Sequence, residues 1–241
     1  VSGKNLFPSN ISGLPTWYIL RVSDNGYQAP GDRTHIQIVM NKATWEEDVK
    51  NCLPNTLIIF NEDVKMPVER DDCTVIGLPM TKMARGLNPK LAKMIANMVY
   101  VGVLAEILGL EDAALDEALA AQFRGKVKAI ELNLEAVDLG RGFVKENVDV
   151  DAIPFRIEAR ERNEDEFLIE GNEAVAIGCH YGGVGLLSWY PITPSSSLAE
   201  GVIAYIPELR VDEEGDHYCA VVQAEDELAA VGMVVGGGWA G

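Results

Sequence analysis

Twice in the last third of this chain a short β-rich run passes straight into a helical pattern through a polar hinge, at residues 186–206 and again at 217–235. That succession is what most restricts the fold. Two strands joined through a helix are forced to run parallel, and any ligand site then lies at their carboxyl ends. Residues 172–182 read as a small-residue helix, 186–190 as a strand, 194–206 as a helix, 217–223 as a strand and 225–235 as a helix. The run E-F-L-I-E at 166–170 reads as a further short strand ahead of them.

The first half alternates differently. Residues 16–22, 35–40, 56–60 and 74–78 are strand-like, and Pro8, Pro15, Pro30, Pro54, Pro67 and Pro79 fall between or beside them as turn punctuation. The period then changes. Leu91, Met94, Ile95, Met98, Val99, Gly102, Val103 and Leu104 follow the spacing of one apolar helix face after Pro89. Further helices are expected at 112–123 and 127–137. Residues 141–170 are charge-dense and aperiodic, and 149–165 reads as a linker. The expectation is an α/β chain in two parts, 1–148 and 166–241, each large enough to bury a core.

Charge separates the same two parts. Of 20 Lys+Arg and 37 Asp+Glu, giving a net −17, residues 1–110 are balanced, whereas 171–241 hold ten acids and one base, Arg210. So acidic a surface disfavours nucleic acid and anionic membrane as partners. The uncharged stretch 174–199 could span a bilayer by length, but His180, its glycines, two prolines and the polar cluster 193–197 argue against it. Cys52, Cys73, Cys179 and Cys219 are far apart, without C-x-x-C spacing, so four reduced thiols and a cytoplasmic setting are expected. No apolar leader follows Val1. With no initiator Met and a final G-G-G-W-A-G inside an apolar run, a piece of a longer polypeptide is expected.

Two hinges could carry chemistry. Tyr190-Pro191-Ile192-Thr193-Pro194-Ser195-Ser196-Ser197 brings hydroxyls and free backbone N–H groups to a helix start, a setting that receives an anion such as a substrate carboxylate. Tyr190, Thr193 and Ser195 are the candidate contacts. A capped helix accounts for the same residues, with Thr193 as N-cap or a Ser197/Glu200 capping box. The second hinge is Gln223-Ala224-Glu225-Asp226-Glu227. Acids in a first turn favour the helix dipole. Glu225 also stands first past a strand, where a carboxyl can hydrogen-bond a thiamine aminopyrimidine and help deprotonate the thiazolium carbon. Other signals are weak. Gly3-Lys4 lacks the rest of a P-loop, Gly182-Gly183-Val184-Gly185 reads as a turn, and His35, His180 and His217 share no ligand spacing.

Taken together, Gly3-Lys4-Asn5-Leu6-Phe7-Pro8-Ser9-Asn10-Ile11, Gly13-Leu14-Pro15-Thr16-Trp17-Tyr18, Y-P-I-T-P-S-S-S-L-A-E at 190–200 and V-Q-A-E-D-E-L-A at 222–229 resemble the 2-oxoacid:ferredoxin oxidoreductases, in particular the fused gamma–alpha subunit of the 2-oxoglutarate type. The resemblance covers nearly the whole chain in order. It implies a Rossmann-like gamma domain over 1–148, incomplete at its start, and the beginning of a thiamine-pyrimidine-binding, transketolase-like alpha domain over 166–241. It implies that Thr193 contacts the 2-oxoacid and Glu225 the aminopyrimidine. A beta subunit would hold the thiamine diphosphate tail, Mg²⁺ and a 4Fe–4S cluster, in a hetro-oligomer with coenzyme A as co-substrate and ferredoxin or a similar one-electron carrier. The stretch after Gly26-Tyr27 departs from the family, whose members carry an arginine- and glycine-rich segment there. Two rivals stand beside this reading: a non-catalytic assembly subunit, and a stand-alone thiamine enzyme, against which the lack of a G-D-G…N-N diphosphate motif counts.

Overall fold

β1 (Ser2–Leu6) and β2 (Trp17–Arg21) pair as an antiparallel ladder, Ser2 opposite Arg21 and Leu6 opposite Trp17. The structure, a computed structural model, describes residues 1–6, 14–160 and 166–241. Residues 7–13, inside the first motif of the resemblance, and 161–165, the end of the expected linker, lie outside the described residues. The hairpin is a separate two-stranded sheet. The chain groups into residues 29–162 as one unit and residues 1–28 with 163–241 as the other. The first 28 residues, expected in a domain over 1–148, thus group with the C-terminal segment.

The unit 29–162 is built on a parallel sheet of β3 (Ile36–Val39), β4 (Leu57–Asn61) and β5 (Thr74–Leu78), in that order. The run T-L-I-I-F lacks polar alternation because β4 is central and covered on both faces. Leu57 and Ile59 pack with Ile76 and Leu78 against α2 (Met80–Leu87), α3 (Ala92–Leu108) and α5 (Val127–Asn147). On the other face Ile58 and Val39 meet Val49 of α1 (Trp45–Lys50), with Cys52 and Met66. The helix α4 (Asp112–Phe123) matches its expected span.

Helix α5 runs ten residues past its expected end at Val137. Glycine is disfavoured inside a helix, but Gly140 is where α5 crosses α3. A Cβ there would collide with the Val99 carbonyl oxygen, and a Cβ on Gly102 of α3 would collide with that of Val137. Reciprocal close approach outweighs the entropic cost of glycine inside a helix. The expected linker is also partly structure. A 3-10 turn, Val150–Ala152, leads to Ile153, which is 5 % exposed, and Phe155 packs on the core. Ile157 N–H donates to Leu108 O at 2.9 Å, and Arg156 donates to Ile107 O at 3.0 Å. These donors satisfy the last carbonyls of α3, so the charged run closes a helix end rather than spacing two domains.

The C-terminal segment runs α6 (Gly171–Tyr181), β6 (Leu186–Trp189), α7 (Ser195–Leu209), β7 (Ala220–Gln223) and α8 (Glu227–Ala240), with β6 and β7 parallel. The expected strand at 166–170 is extended but pairs with nothing among the described residues, and Phe167 and Leu168 are exposed. A strand pattern without a partner strand does not make a ladder. Helices α6 and α7 pack in parallel along one ridge: Asn172 on Ser197, Ala176 on Gly201, and His180 edge-on to Tyr205, each pair 25 residues apart. This is the four-residue ridge packing of helix pairs. Among the described residues no single helix is long and apolar enough to cross a membrane.

The α3–α5 crossing makes a direct test. Gly140→Ala is expected to lower stability by about 1–3 kcal/mol through overpacking. Gly86→Ala, whose Cβ would meet nothing within 4 Å, is expected to stabilise α2 by about 0.5 kcal/mol. Denaturant midpoints of the purified chains measure both, and equal effects would refute the crossing.

Candidate active site

The β6–β7 ladder pairs Leu186 with Ala220 and Trp189 with Gln223, and it continues one step further, where Ala224 N–H donates to Trp189 O at 2.7 Å. Tyr190 and Ala224 therefore leave the sheet side by side at its carboxyl edge. The loops that follow, 190–194 and 224–226, start from adjacent strands. In an open parallel sheet that edge is where ligands bind.

In the first loop the serines bond back to the loop's own carbonyls. Ser195 Oγ donates to Ile192 O at 2.8 Å, and Ser196 N–H reaches the same carbonyl at 3.1 Å. Ser197 Oγ donates to Pro194 O at 3.2 Å. Helix α7 begins at Ser195 with Pro194 as its N-cap and no side-chain cap, so neither Thr193 nor the Ser197/Glu200 pair caps it. The Thr193 hydroxyl is exposed and has no partner among the described residues. Tyr190 is half-buried behind it in sequence. Of the three expected substrate contacts, Thr193 has an open hydroxyl, whereas Ser195 shapes the loop with its hydroxyl proton.

In the second loop the cap falls one residue later than the expected helix start. Asp226 is the N-cap of α8, its Oδ1 accepting from Ala229 N–H at 2.7 Å. Asp226 and Glu227 thus account for the acidic helix start. Glu225 stands outside the helix, between the buried Ala224 and the cap, exposed and without a partner among the described residues. The geometry brings the Thr193 and Glu225 loops to one sheet edge.

Two residues that spacing does not mark also organise this segment. Asn172, in the first turn of α6, donates from Nδ2 to Pro194 O at 2.8 Å and to Ser197 Oγ at 2.7 Å. Its place in a G-N pair ahead of an apolar helix gives no sign of a partner 25 residues away. Arg210, the sole base of residues 171–241, donates to the His180 carbonyl and lies over the Tyr218 ring at 5.3 Å. It sits at the C-terminal end of α7, away from the loops, where a cation favours the end of α6. Nearby, Tyr205 O–H donates to Glu173 Oε1 at 2.9 Å, and that bond to a carboxylate raises the phenol pKa.

Comparison with known proteins agrees with this architecture. Residues 1–143 match the family described as pyruvate ferredoxin/flavodoxin oxidoreductase, and 177–241 match pyruvate flavodoxin/ferredoxin oxidoreductase, thiamine diphosphate-binding. Subunit alpha of 2-oxoacid:ferredoxin oxidoreductase 1 from Sulfurisphaera tokodaii is 33% identical over 83% of this chain and 30% of its own length. Subunit alpha of 2-oxoacid:ferredoxin oxidoreductase 2 from Aeropyrum pernix is 30% identical over 72% of this chain and 29% of its own. The 2-oxoglutarate synthase subunit KorA of Methanothermobacter thermautotrophicus is 39% identical over 32% of this chain and 18% of its own. Among solved structures, 2-oxoglutarate:ferredoxin oxidoreductase from Magnetococcus marinus, with 2-oxoglutarate, coenzyme A and succinyl-CoA bound, superposes with a TM-score of 0.81 at 29% identity. That match covers 99% of this chain and 40% of the solved one. The chain thus spans under a third of the length of the sequence relatives.

Because Asp226 rather than Glu225 caps α8, the two acids should respond differently to removal. Asp226→Ala is expected to cost the first turn of α8 about 1 kcal/mol and to speed amide exchange at Ala229. Glu225→Ala should leave that exchange unchanged. Hydrogen-exchange mass spectrometry of the purified chain checks both.

Proposed function

The chain belongs to the pyruvate ferredoxin/flavodoxin oxidoreductase family, and from that membership we propose that it serves as the gamma–alpha part of a thiamine-dependent 2-oxoacid:ferredoxin oxidoreductase, with 2-oxoglutarate as the favoured substrate. The reaction is oxidative decarboxylation of the 2-oxoacid onto coenzyme A, releasing CO₂ and two electrons passed singly to ferredoxin, or the reverse carboxylation. The observation that carries the proposal is the shared carboxyl edge of β6 and β7, from which the Thr193 and Glu225 loops leave side by side.

The residues present fit thiamine diphosphate. Glu225 offers an exposed carboxylate with no competing partner among the described residues, on the loop next to an open hydroxyl. When bound, the cofactor supplies the nucleophilic thiazolium carbon and the electron sink. Glu225 would accept a hydrogen bond from the aminopyrimidine and favour the tautomer that removes the thiazolium proton. Thr193 would donate to the oxygen atoms of the 2-oxoacid, with Tyr190 bordering the loop and Ser195 holding its shape. The one base of residues 171–241 is committed to the His180 carbonyl, so charge to balance the diphosphate must come from elsewhere. We propose that a beta-type partner carrying Mg²⁺ and a 4Fe–4S cluster supplies it, in a cytoplasmic hetero-oligomer. The 2-oxoglutarate preference is supported by the substrate in the solved relative's complex.

The test uses the full-length polypeptide co-expressed with its partner subunit, assayed by 2-oxoglutarate- and coenzyme A-dependent reduction of a viologen dye. Glu225→Gln is expected to lower kcat by about 10²–10⁴-fold, the usual weight of a proton-transfer group. Thr193→Ala is expected to lower kcat/KM for the 2-oxoacid by about 10–100-fold, the weight of a hydrogen bond to a charged group. Unchanged turnover in the Glu225→Gln complex would mean the chain only scaffolds its partner.

A further inference from the structure

We infer that Asn172 is a positioning residue for the 2-oxoacid: its amide locks the turn beside Thr193 and so fixes where the Thr193 hydroxyl stands. The inference rests on the proposed site. Pro194 O can only accept, so the amide nitrogen and not the oxygen of Asn172 faces it. Both protons of that nitrogen are used, one on Pro194 O at 2.8 Å and one on Ser197 Oγ at 2.7 Å. Ser197 in turn donates to Pro194 O at 3.2 Å, which closes a three-membered set of hydrogen bonds on the helix side of Thr193.

On the strand side, Ile192 O is held by Ser195 Oγ at 2.8 Å and Ser196 N–H at 3.1 Å. The backbone is therefore pinned at both neighbours of Thr193, while the Thr193 hydroxyl makes no bond of its own among the described residues. Such a loop holds a donor ready for a ligand without having to order it on binding. Asn172 itself is fixed from below. It is the first member of the α6–α7 ridge, with the Ala176 Cβ 3.0 Å from where a Cβ on Gly201 would stand and Tyr205 bonded to Glu173 at 2.9 Å. Helix α6 thus acts on the site through one side chain.

The test is a double-mutant cycle in the full-length complex, with the viologen assay and thermal unfolding as readouts. Asn172→Ala is expected to lower kcat/KM for the 2-oxoacid by about tenfold and to leave KM for coenzyme A unchanged. Combined with Thr193→Ala it should add little, because a positioning residue has nothing left to position. Asn172→Asp supplies the second variant. It keeps the shape, removes both donors and places an acid in a helix first turn, which favours folding. It should lose activity as Asn172→Ala does, without a fall in unfolding temperature. Additive losses in the cycle would overturn the inference, as would full activity of Asn172→Asp. An effect of Thr193→Ala with none of Asn172→Ala overturns this inference alone. No effect of Thr193→Ala overturns it together with the site reading.

Discussion

The parallel register of β6 and β7 governs everything proposed for this chain. Four residue pairs and one added bond, Ala224 N–H to Trp189 O, decide which residue of each loop comes first past the sheet. A slip of one residue would turn every side chain of a strand to the other face. It would bury Glu225 in place of Ala224 and swing the 190–194 loop out of step with it. The register is held from above by α8, where Ser188 Oγ contacts Met233 Sδ at 3.4 Å and a Cβ on Gly237 would stand 2.6 Å from Leu186 Cδ2. Glycine at 237 is thus what lets the helix settle on the strand.

Charge sharpens the picture. The proposed substrate class is anionic and the proposed cofactor carries a diphosphate, yet residues 171–241 hold a single base. Arg210 is bound to the His180 carbonyl and the Tyr218 ring, so it serves the packing of α6, α7 and the approach to β7. What this segment can offer an anion is therefore neutral: a hydroxyl, and the N-terminal end of α7. On the proposed reading the segment orients its ligand through neutral donors, and the cations come from outside it.

Long periodic elements were legible in the sequence. The apolar helix after Pro89, the helix at 112–123 and the strands at 56–60 and 74–78 form where expected, because local pattern and tertiary environment agree there, although Leu91 and Met94 of the expected apolar face are exposed. The misses have tertiary causes. Gly140 ends a helix by propensity and continues one because α3 passes against it. The charged run at 149–157 hides Ile153, Phe155 and Ile157, which close the end of α3. The strand pattern at 166–170 found no partner among the described residues. At the site, the spacing brought Thr193 and Glu225 to neighbouring loops. It could not show that Ser195 bonds back to Ile192 O, or that Asn172 reaches the loop, which depends on the pairing of α6 with α7.

The two hinges share one logic. Every helix start needs donors and acceptors satisfied, and that demand explains most polar residues in both loops. At β7 it is met by Asp226, and at β6 by the carbonyls of Ile192 and Pro194 with their serine partners. Among the described residues Thr193 and Glu225 take no part in that task. Their place on loops that leave adjacent strands at the edge where parallel sheets take their ligands is the physical ground for proposing chemistry at these two residues.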